Sequence, residues 1–169
     1  MIRKKLTFDD YVPGSRKHPI SILADNITLT KNIGSLFRLC DALGIEYLYL
    51  ASQSTTLDSK FSKVSRFSER NVPYSFEQDP QQKIRQLKKN GYTIISLELT
   101  SDSTNIRDFD FSRTEKLCLI LGNEAKGISD DLLAVSDHCV HIPMLGMNSS
   151  MNVICAASIA IYEMSRHLS

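Results

Sequence analysis

Three glycine-bearing segments of the sequence hold the side chains best suited to chemistry. They read N-x-G-x-x-x-R at 32–38, G-x-E-x-x-G at 122–127 and I-P-M-x-G-x-x-x-S-M-N at 142–152. Glycine lets the backbone approach a ligand closely, and loops at helix starts present N–H groups to that ligand. The amide, carboxylate and guanidinium groups in these segments can orient a polar partner through hydrogen bonds. The three segments together therefore predict a binding site built largely from loop backbone.

Each segment taken alone also has a purely structural interpretation. The spacing of G-x-E-x-x-G suits any tight turn between a strand and a helix. It matches neither the G-x-G-x-x-G dinucleotide fingerprint nor a P-loop. Arg38 lies off the apolar stripe of its predicted helix, which is also what a solvated surface arginine would show. The stretch 142–166 has the pattern of a strand, a turn and a core helix.

The segments that flank these motifs alternate between strand and helix patterns. Strands are predicted at 20–24, 46–51, 72–76, 92–99, 116–121 and 139–142, and helices at 31–43, 61–67, 81–90, 129–135 and 151–166. The continuous apolar run at 116–121 is typical of a central parallel strand. The alternation predicts an α/β domain with a mainly parallel sheet flanked by helices. Ligands bind at the carboxyl ends of strands in such sheets, and all three motifs fall there.

The last predicted helix has one apolar face made mainly of alanine. Its members recur at i, i+3, i+4 and i+7 spacing and are Val153, Ala156, Ala157, Ala160 and Met164. Such a face can approach another helix closely. Ser149 or Ser150 is the predicted N-cap.

Length and composition describe an ordinary globular domain. The chain has 169 residues, of which 42% are hydrophobic and 23% charged, and its net charge is +1. One domain over 20–169 is expected. No apolar run approaches the ~18 residues of a membrane span, and neither membrane association nor a metal site is expected. The four cysteines form no C-x-x-C pair, so reduced thiols in the cytoplasm are expected.

Two basic stretches leave their role open. Residues 1–19 form a basic N-terminal arm with a Pro-Gly turn, either a poorly tied terminus or a phosphate-contacting segment. Residues 52–71 are rich in serine and carry Lys60, Lys63, Arg66 and Arg70. That second stretch is either a solvated helix or an RNA-facing surface.

The order and character of the three motifs resemble those of the SpoU (TrmH-like) branch of the SPOUT methyltransferase superfamily. The resemblance runs from about residue 20 to residue 166. It implies an α/β fold with a C-terminal trefoil knot, and S-adenosylmethionine as the methyl donor. It further implies 2′-O-methylation of a ribose in tRNA or rRNA by a homodimer that assembles through its last helix. The alanines of that helix suit close packing at such an interface.

The same resemblance assigns roles to single residues. The catalytic positions of the family correspond to Asn32, Arg38, Glu124, Ser150 and Asn152. The positions that hold the cofactor, largely through backbone, correspond to Leu97, Gly122, Ile142 and Met151. The third motif reads Ser-Met-Asn-Val-Ile-Cys where the family usually has Ser-Leu-Asn-Val-Ser-Val, a change expected to affect packing more than chemistry.

The resemblance implies a role for Arg38 but leaves the RNA target open. A guanidinium holds its proton too tightly to serve readily as a base. We expect Arg38 to clamp the ribose and its phosphate and to stabilise the developing alkoxide. The expected target is tRNA, with a D-loop guanosine favoured by the IPMLGM sequence and the region around 108–111. The alternatives are the tRNA wobble ribose, rRNA, or a non-catalytic RNA-binding protein that keeps the fold.

Overall fold

The computed structural model describes residues 17–52 and 59–167, together with 5–7, 10, 12 and 14. It contains a seven-stranded sheet in the order β3-β2-β1-β6-β4-β7-β5, and every described strand pairing is parallel. The strands are β1 His18–Asp25, β2 Ile45–Ala51, β3 Tyr74–Phe76, β4 Tyr92–Leu97, β5 Thr104–Asn105, β6 Lys116–Leu121 and β7 His138–His141. The helices are α1 Thr30–Ala42, α2 Ser59–Ser65, α3 Pro80–Lys89, α4 Asp130–Val135 and α5 Val153–Ser165. The predicted parallel α/β architecture is confirmed.

The central strand of the sheet, β6, is apolar along almost its whole length. β6 lies between β1 and β4, and all of its residues after Lys116 are buried. A strand covered on both faces needs apolar side chains in both directions, which explains the continuous run Leu117–Leu121. Helices α1, α2 and α5 contribute to the hydrophobic core on one side of the sheet, while α3 and α4 pack on the other.

Helix α1 follows the predicted pattern closely. Its buried apolar residues are Ile33, Leu36, Phe37 and Cys40, as predicted. Gly34 is also buried, and a methyl group there would lie 2.7 Å from Val64 Cγ1 of α2. Gly44 follows the helix with a φ of 61°, a conformation that glycine adopts without a steric penalty.

Several predicted boundaries differ from the observed ones. β1 begins at His18, two residues before its predicted start, and β4 ends at Leu97 rather than at residue 99. The two-residue strand β5 was expected to be loop, because a polar pair carries no periodicity. Helix α2 ends at Ser65, so Phe67 does not extend its apolar face.

The start of α5 corrects a second expectation. The N-cap is Asn152, whose side chain accepts a hydrogen bond from the Ile154 N–H at 2.9 Å, and neither Ser149 nor Ser150 takes that position. Serine and asparagine both cap helices well, so the sequence offered several equivalent candidates within four positions.

The alanine face of α5 points into its own chain. Ala157 and Ala160 are fully buried and, like Met164, belong to the core, where α5 packs against α1 and β4. The expectation that these alanines form a subunit interface is therefore wrong. The opposite face carries Cys155, Ile159 and Tyr162, all exposed.

Three further expectations concern the whole chain. The basic arm 1–19 lies largely outside the described residues. The trefoil knot stays a prediction. Within the part of the chain that the structure describes, no helix combines the length and hydropathy needed to cross a bilayer.

Candidate active site

A cavity of about 900 Å³ opens at the carboxyl edge of the sheet. It is lined by residues drawn from four segments, 29–32, 97–99, 121–127 and 141–156. Three of these segments follow β4, β6 and β7, and the fourth leads into α1. Small-molecule sites typically enclose roughly 300–1,000 Å³, and in parallel sheets they lie at this edge. The cavity therefore has the size and the location of a ligand site.

Asn32 forms the centre of a hydrogen-bonded cluster in the cavity wall. Its Nδ2 donates to Glu124 Oε1 at 2.8 Å, and its Oδ1 accepts from Asn152 Nδ2 at 3.3 Å. Asn32 is only 7% exposed, so an unmade hydrogen bond would leave a desolvated polar atom. The cluster ties the three sequence motifs together through one amide. Ser150 lines the same cavity.

The loop 122–127 is closed on itself by its own backbone. Asn123 and Gly127 exchange two backbone hydrogen bonds of 2.9 and 3.0 Å. The Asn123 side chain accepts from two N–H groups of the loop and donates to the Asn26 carbonyl at 2.8 Å. A methyl group on Gly122 would collide with the backbone of Gly127 and Ile128. Gly122 is therefore required by the loop itself, which is one of the two interpretations that the sequence left open.

Two carboxylates that the sequence did not single out hold this loop from outside. Glu98 accepts from the Ile128 N–H at 3.1 Å, and Asp25 accepts from the Ser129 N–H at 2.8 Å. Glu98 also faces the cavity, where Gly127 lacks the side chain that would displace it. Their signal in the sequence is position, since each carboxylate lies where a buried strand ends. The function of orienting the loop was not readable from that position alone.

All four predicted cofactor-binding positions lie on the cavity wall. Leu97, Gly122, Ile142 and Met151 come from three different segments, and Met151 is partly exposed toward solvent. Lys31 and His141 also line the cavity, and neither was predicted. His141 Nδ1 lies 3.0 Å from Ser103 Oγ, which fixes the ring against the loop after β4.

Arg38 is the one predicted catalytic residue that lies away from this cavity. It is exposed on α1, six residues beyond Asn32. Six residues of helix advance about 9 Å and turn about 240°, so the two side chains leave α1 on different faces. The structure brings Asn32, Glu124, Ser150 and Asn152 to one cavity of the chain and leaves Arg38 outside it.

The thiols are poorly suited to nucleophilic chemistry. Burial raises the pKa of Cys118 to about 12 and also raises the pKa of Cys40. Partial burial raises the pKa of Cys139, whose thiol donates to the Glu98 carbonyl at 3.4 Å. A thiolate is the reactive form, so these cysteines pack rather than react.

Among the residues that the structure describes, no group of His, Cys, Asp and Glu is arranged to hold a metal ion.

Comparison with known proteins places the chain among RNA-modifying enzymes. It is 30% identical over 166 residues to the tRNA (guanosine(18)-2'-O)-methyltransferase of Aquifex aeolicus, covering 98% of this chain and 78% of that protein. It is 29% identical over 151 residues to the protein of the same name from Thermus thermophilus, covering 89% of this chain and 76% of that one.

Solved structures show the same fold. The TrmH/SpoU tRNA modifying enzyme of A. aeolicus superimposes with a TM-score of 0.81 at 30% identity, over 90% of this chain and 76% of that chain. The SpoU methyltransferase AviRb from Streptomyces viridochromogenes, in complex with AdoMet, gives 0.79 at 29% identity, over 90% and 62%. A model of the SpoU rRNA Methylase family matches residues 19–162. With these matches the predicted resemblance is confirmed, and the chain belongs to the SpoU rRNA Methylase family.

Proposed function

We propose that this SpoU-family methylase transfers a methyl group from S-adenosylmethionine to a ribose 2′-hydroxyl of tRNA, at a guanosine of the D-loop. The observation that carries the proposal is the cluster of Asn32, Glu124 and Asn152 on the wall of the cavity. Relatives with a similar sequence are named tRNA (guanosine(18)-2'-O)-methyltransferases, which supports the choice of RNA and nucleotide.

The cavity suits S-adenosylmethionine by its donors and its charge. The backbone at Leu97 and Ile142, on the cavity wall, would supply the N–H and carbonyl partners that an adenine edge needs. The carboxylates of Glu98 and Glu124 face a space that would receive a cationic sulfonium. The bound cofactor supplies an electrophilic methyl group.

The protein side chains orient the acceptor. The carboxylate of Glu124 is held by Asn32 at 2.8 Å, so it enters the reaction already oriented. Arg38 clamps the ribose and its phosphate through a planar fork of donors and stabilises negative charge on O2′ as the hydroxyl proton passes to water. The bond from O2′ to the methyl group would replace the bond from the sulfonium sulfur to that group, leaving a neutral thioether. Holding that oxygen in line with the methyl group contributes much of the rate.

We further propose a homodimer that assembles through the outer face of α5. Cys155, Ile159 and Tyr162 form an exposed stripe at i, i+4 and i+7 on that face. Helix α5 begins at the cavity wall, where Val153 and Ala156 line the cavity. A second copy seated on α5 therefore comes within reach of the cavity, and Arg38 of each copy acts at the cavity of the other. The cytoplasm is the proposed compartment, in keeping with four unpaired thiols.

The assembly is tested by placing a charge on the outer face of α5. Tyr162→Arg places a cation in the proposed interface, so light scattering at micromolar concentration should report a monomer. Phe76→Arg is the matched control, because Phe76 is comparably exposed on β3, far along the sequence from α5. Cys155 should react with a maleimide much faster in Tyr162→Arg than in the wild type. A wild-type monomer at micromolar concentration contradicts the proposed dimer.

The reaction is tested by single-turnover transfer from radiolabelled S-adenosylmethionine to unmodified tRNA. The label should appear as a 2′-O-methylated guanosine of the D-loop, and a tRNA with that guanosine replaced by adenosine should receive none. Label at the wobble ribose or in rRNA contradicts the proposed target but not the reaction. No transfer to total unmodified RNA, with RNA binding intact, favours the non-catalytic alternative.

A further inference from the structure

An exposed turn between α2 and the following 3-10 helix, Ser68–Arg70, holds a bulky side chain in an unfavourable backbone conformation. Arg66 and Phe67 have φ values of 51° and 64°, in the left-handed region that side chains with a Cβ rarely occupy. Phe67 nevertheless remains 50% exposed. Neither the core nor the backbone benefits from phenylalanine here, since glycine would fit the same φ. Residues in strained backbone conformations cluster at functional sites.

One cation lies over this ring, and two more are close to it in the sequence. The Arg70 guanidinium carbon lies 4.6 Å from the centroid of Phe67, a cation–π contact. Lys63 and Arg66 are exposed nearby in the sequence. Among the described residues, none of these three cations forms an ion pair. The turn thus combines one solvent-facing aromatic ring with three positive charges, against the single carboxylate of Glu69, which interacts electrostatically with Arg70.

The turn lies on the same flank of α1 as Arg38. Gly34 contacts Val64 and Ser65 at the end of α2, and Asp41 accepts a hydrogen bond from Asn71 Nδ2 at 3.3 Å. Residues 34, 38 and 41 are spaced by four and three, so they share one face of the helix. Arg38 therefore lies along α1 between two residues that contact the chain on either side of Phe67.

From this arrangement we infer that Phe67 is a stacking platform for an unpaired base of the RNA substrate, with Arg66 and Arg70 contacting the adjoining phosphates. The inference rests on the proposed function, and it adds a binding surface that the cavity does not contain. Unpaired RNA bases stack on aromatic rings and on arginine guanidinium planes. The adjoining phosphates bind the surrounding cations. A base held on Phe67 brings its neighbouring ribose toward Arg38 on the same flank.

The test separates stacking from folding by exploiting the positive φ. Phe67→Gly removes the ring but fits the backbone, so its thermal midpoint should equal or exceed that of the wild type. Its Kd for unmodified tRNA, measured by fluorescence anisotropy, should rise on the order of 10-fold or more. Phe67→Trp should retain wild-type affinity, since indole offers a larger stacking face. Phe76→Ala removes a comparably exposed phenylalanine from β3 and should leave the Kd unchanged.

The contribution of the arginines is measured by the salt dependence of tRNA binding. Arg70→Gln should weaken binding and reduce the slope of log Kd against log salt by about 0.7–0.9, the change expected for one lost phosphate contact. An unchanged tRNA affinity in Phe67→Gly overturns the inference, whatever the methylation assay reports. If the wild type binds tRNA through Phe67 yet transfers no methyl group, the platform stands and the proposed function fails.

Discussion

The first turn of α1 and its middle differ in how completely the chain satisfies their polar side chains. Asn32 is nearly buried and makes hydrogen bonds to Glu124 and Asn152, on two other segments. Arg38, less than two turns further on, is exposed and makes no ion pair among the described residues. One helix thus carries a polar side chain with its hydrogen bonds made at its start, and an exposed cation without an ion-pair partner in its middle.

This difference separates the cluster around Asn32, which shapes the site, from Arg38, whose guanidinium is available to bind a ligand. Buried hydrogen bonds contribute to folding, because breaking one leaves a desolvated atom. An exposed arginine adds little to stability, and its value lies in what binds to it. Substitutions at the two places should therefore dissociate stability from turnover.

The largest expected effect is at Arg38. Arg38→Ala should cost at least ~100-fold in turnover, about 2.7 kcal/mol of transition-state stabilisation, because one electrostatic group is lost. The free energy of unfolding should change by less than about 0.5 kcal/mol at this exposed site. Arg38→Lys should rescue poorly, since an ammonium lacks the planar fork. The measurement is single-turnover methylation, with separate calorimetric titration of S-adenosylmethionine, whose affinity should hold.

Two controls sharpen this result. Arg85→Ala removes an exposed arginine of α3 and should leave turnover unchanged. Mixing Arg38→Ala with Glu124→Ala subunits should restore about a quarter of wild-type activity if Arg38 acts across a two-fold dimer, since half the dimers then hold one complete site. Near wild-type turnover in Arg38→Ala would remove Arg38 from the active site.

The next effect concerns the loop beside the cavity. Gly122→Ala should destabilise the protein by about 1–3 kcal/mol and weaken S-adenosylmethionine binding, because the added methyl group meets backbone that cannot rotate away. Gly146→Ala is the matched control, since no atom lies within 4 Å of a methyl group there. Urea unfolding and calorimetry measure the two effects. Equal behaviour of both variants would contradict the close packing of the loop.

Short-range patterns predicted the parts of the fold that depend on local periodicity. The strand at 116–121 and the buried face of α1 are as predicted, because both follow from the spacing of apolar side chains. The alanine face of α5 was also predicted correctly, but the surface that packs against it was not. Periodicity says which residues are buried together and cannot say whether Ala157 and Ala160 are covered by their own chain or by a second copy.

The candidate site shows the same division. The motifs placed four of the five predicted catalytic residues at one cavity, since strand ends of a parallel sheet meet at one edge. Spacing alone could not reveal that Asn32 bonds to both Glu124 and Asn152, because those contacts span 92 and 120 residues. Phe67 was missed as a feature of interest, since its positive φ is a property of the backbone that no apolar pattern encodes.

A smaller effect is expected where α1 begins. Asn32→Ala should reduce the free energy of unfolding by about 1–2 kcal/mol, because Asn152 loses its acceptor and Glu124 its donor. The exposed Glu124 can regain water, which keeps the loss below that of a fully buried pair. Asn32→Asp should be worse than Asn32→Ala, since it sets a second carboxylate against Glu124. Urea unfolding at neutral pH ranks the two variants, and the opposite ranking would contradict the assigned cluster.

The smallest expected effect divides the two roles of Asn152. Its Oδ1 caps α5 through the Ile154 N–H, while its Nδ2 donates to Asn32. Asn152→Ala loses both contacts and should cost about 1 kcal/mol of stability, as cap removal usually does.

Asn152→Asp keeps the cap, and its charge suits the positive end of the helix. It loses only the donor, because a carboxylate oxygen then faces Asn32 Oδ1. Rotating the Asn32 amide cannot repair this contact without giving up the hydrogen bond to Glu124. Asn152→Asp should therefore unfold within about 0.5 kcal/mol of the wild type yet transfer methyl groups more slowly. Wild-type turnover in Asn152→Asp would show that the cap, and not the cluster, is the reason for asparagine at this position.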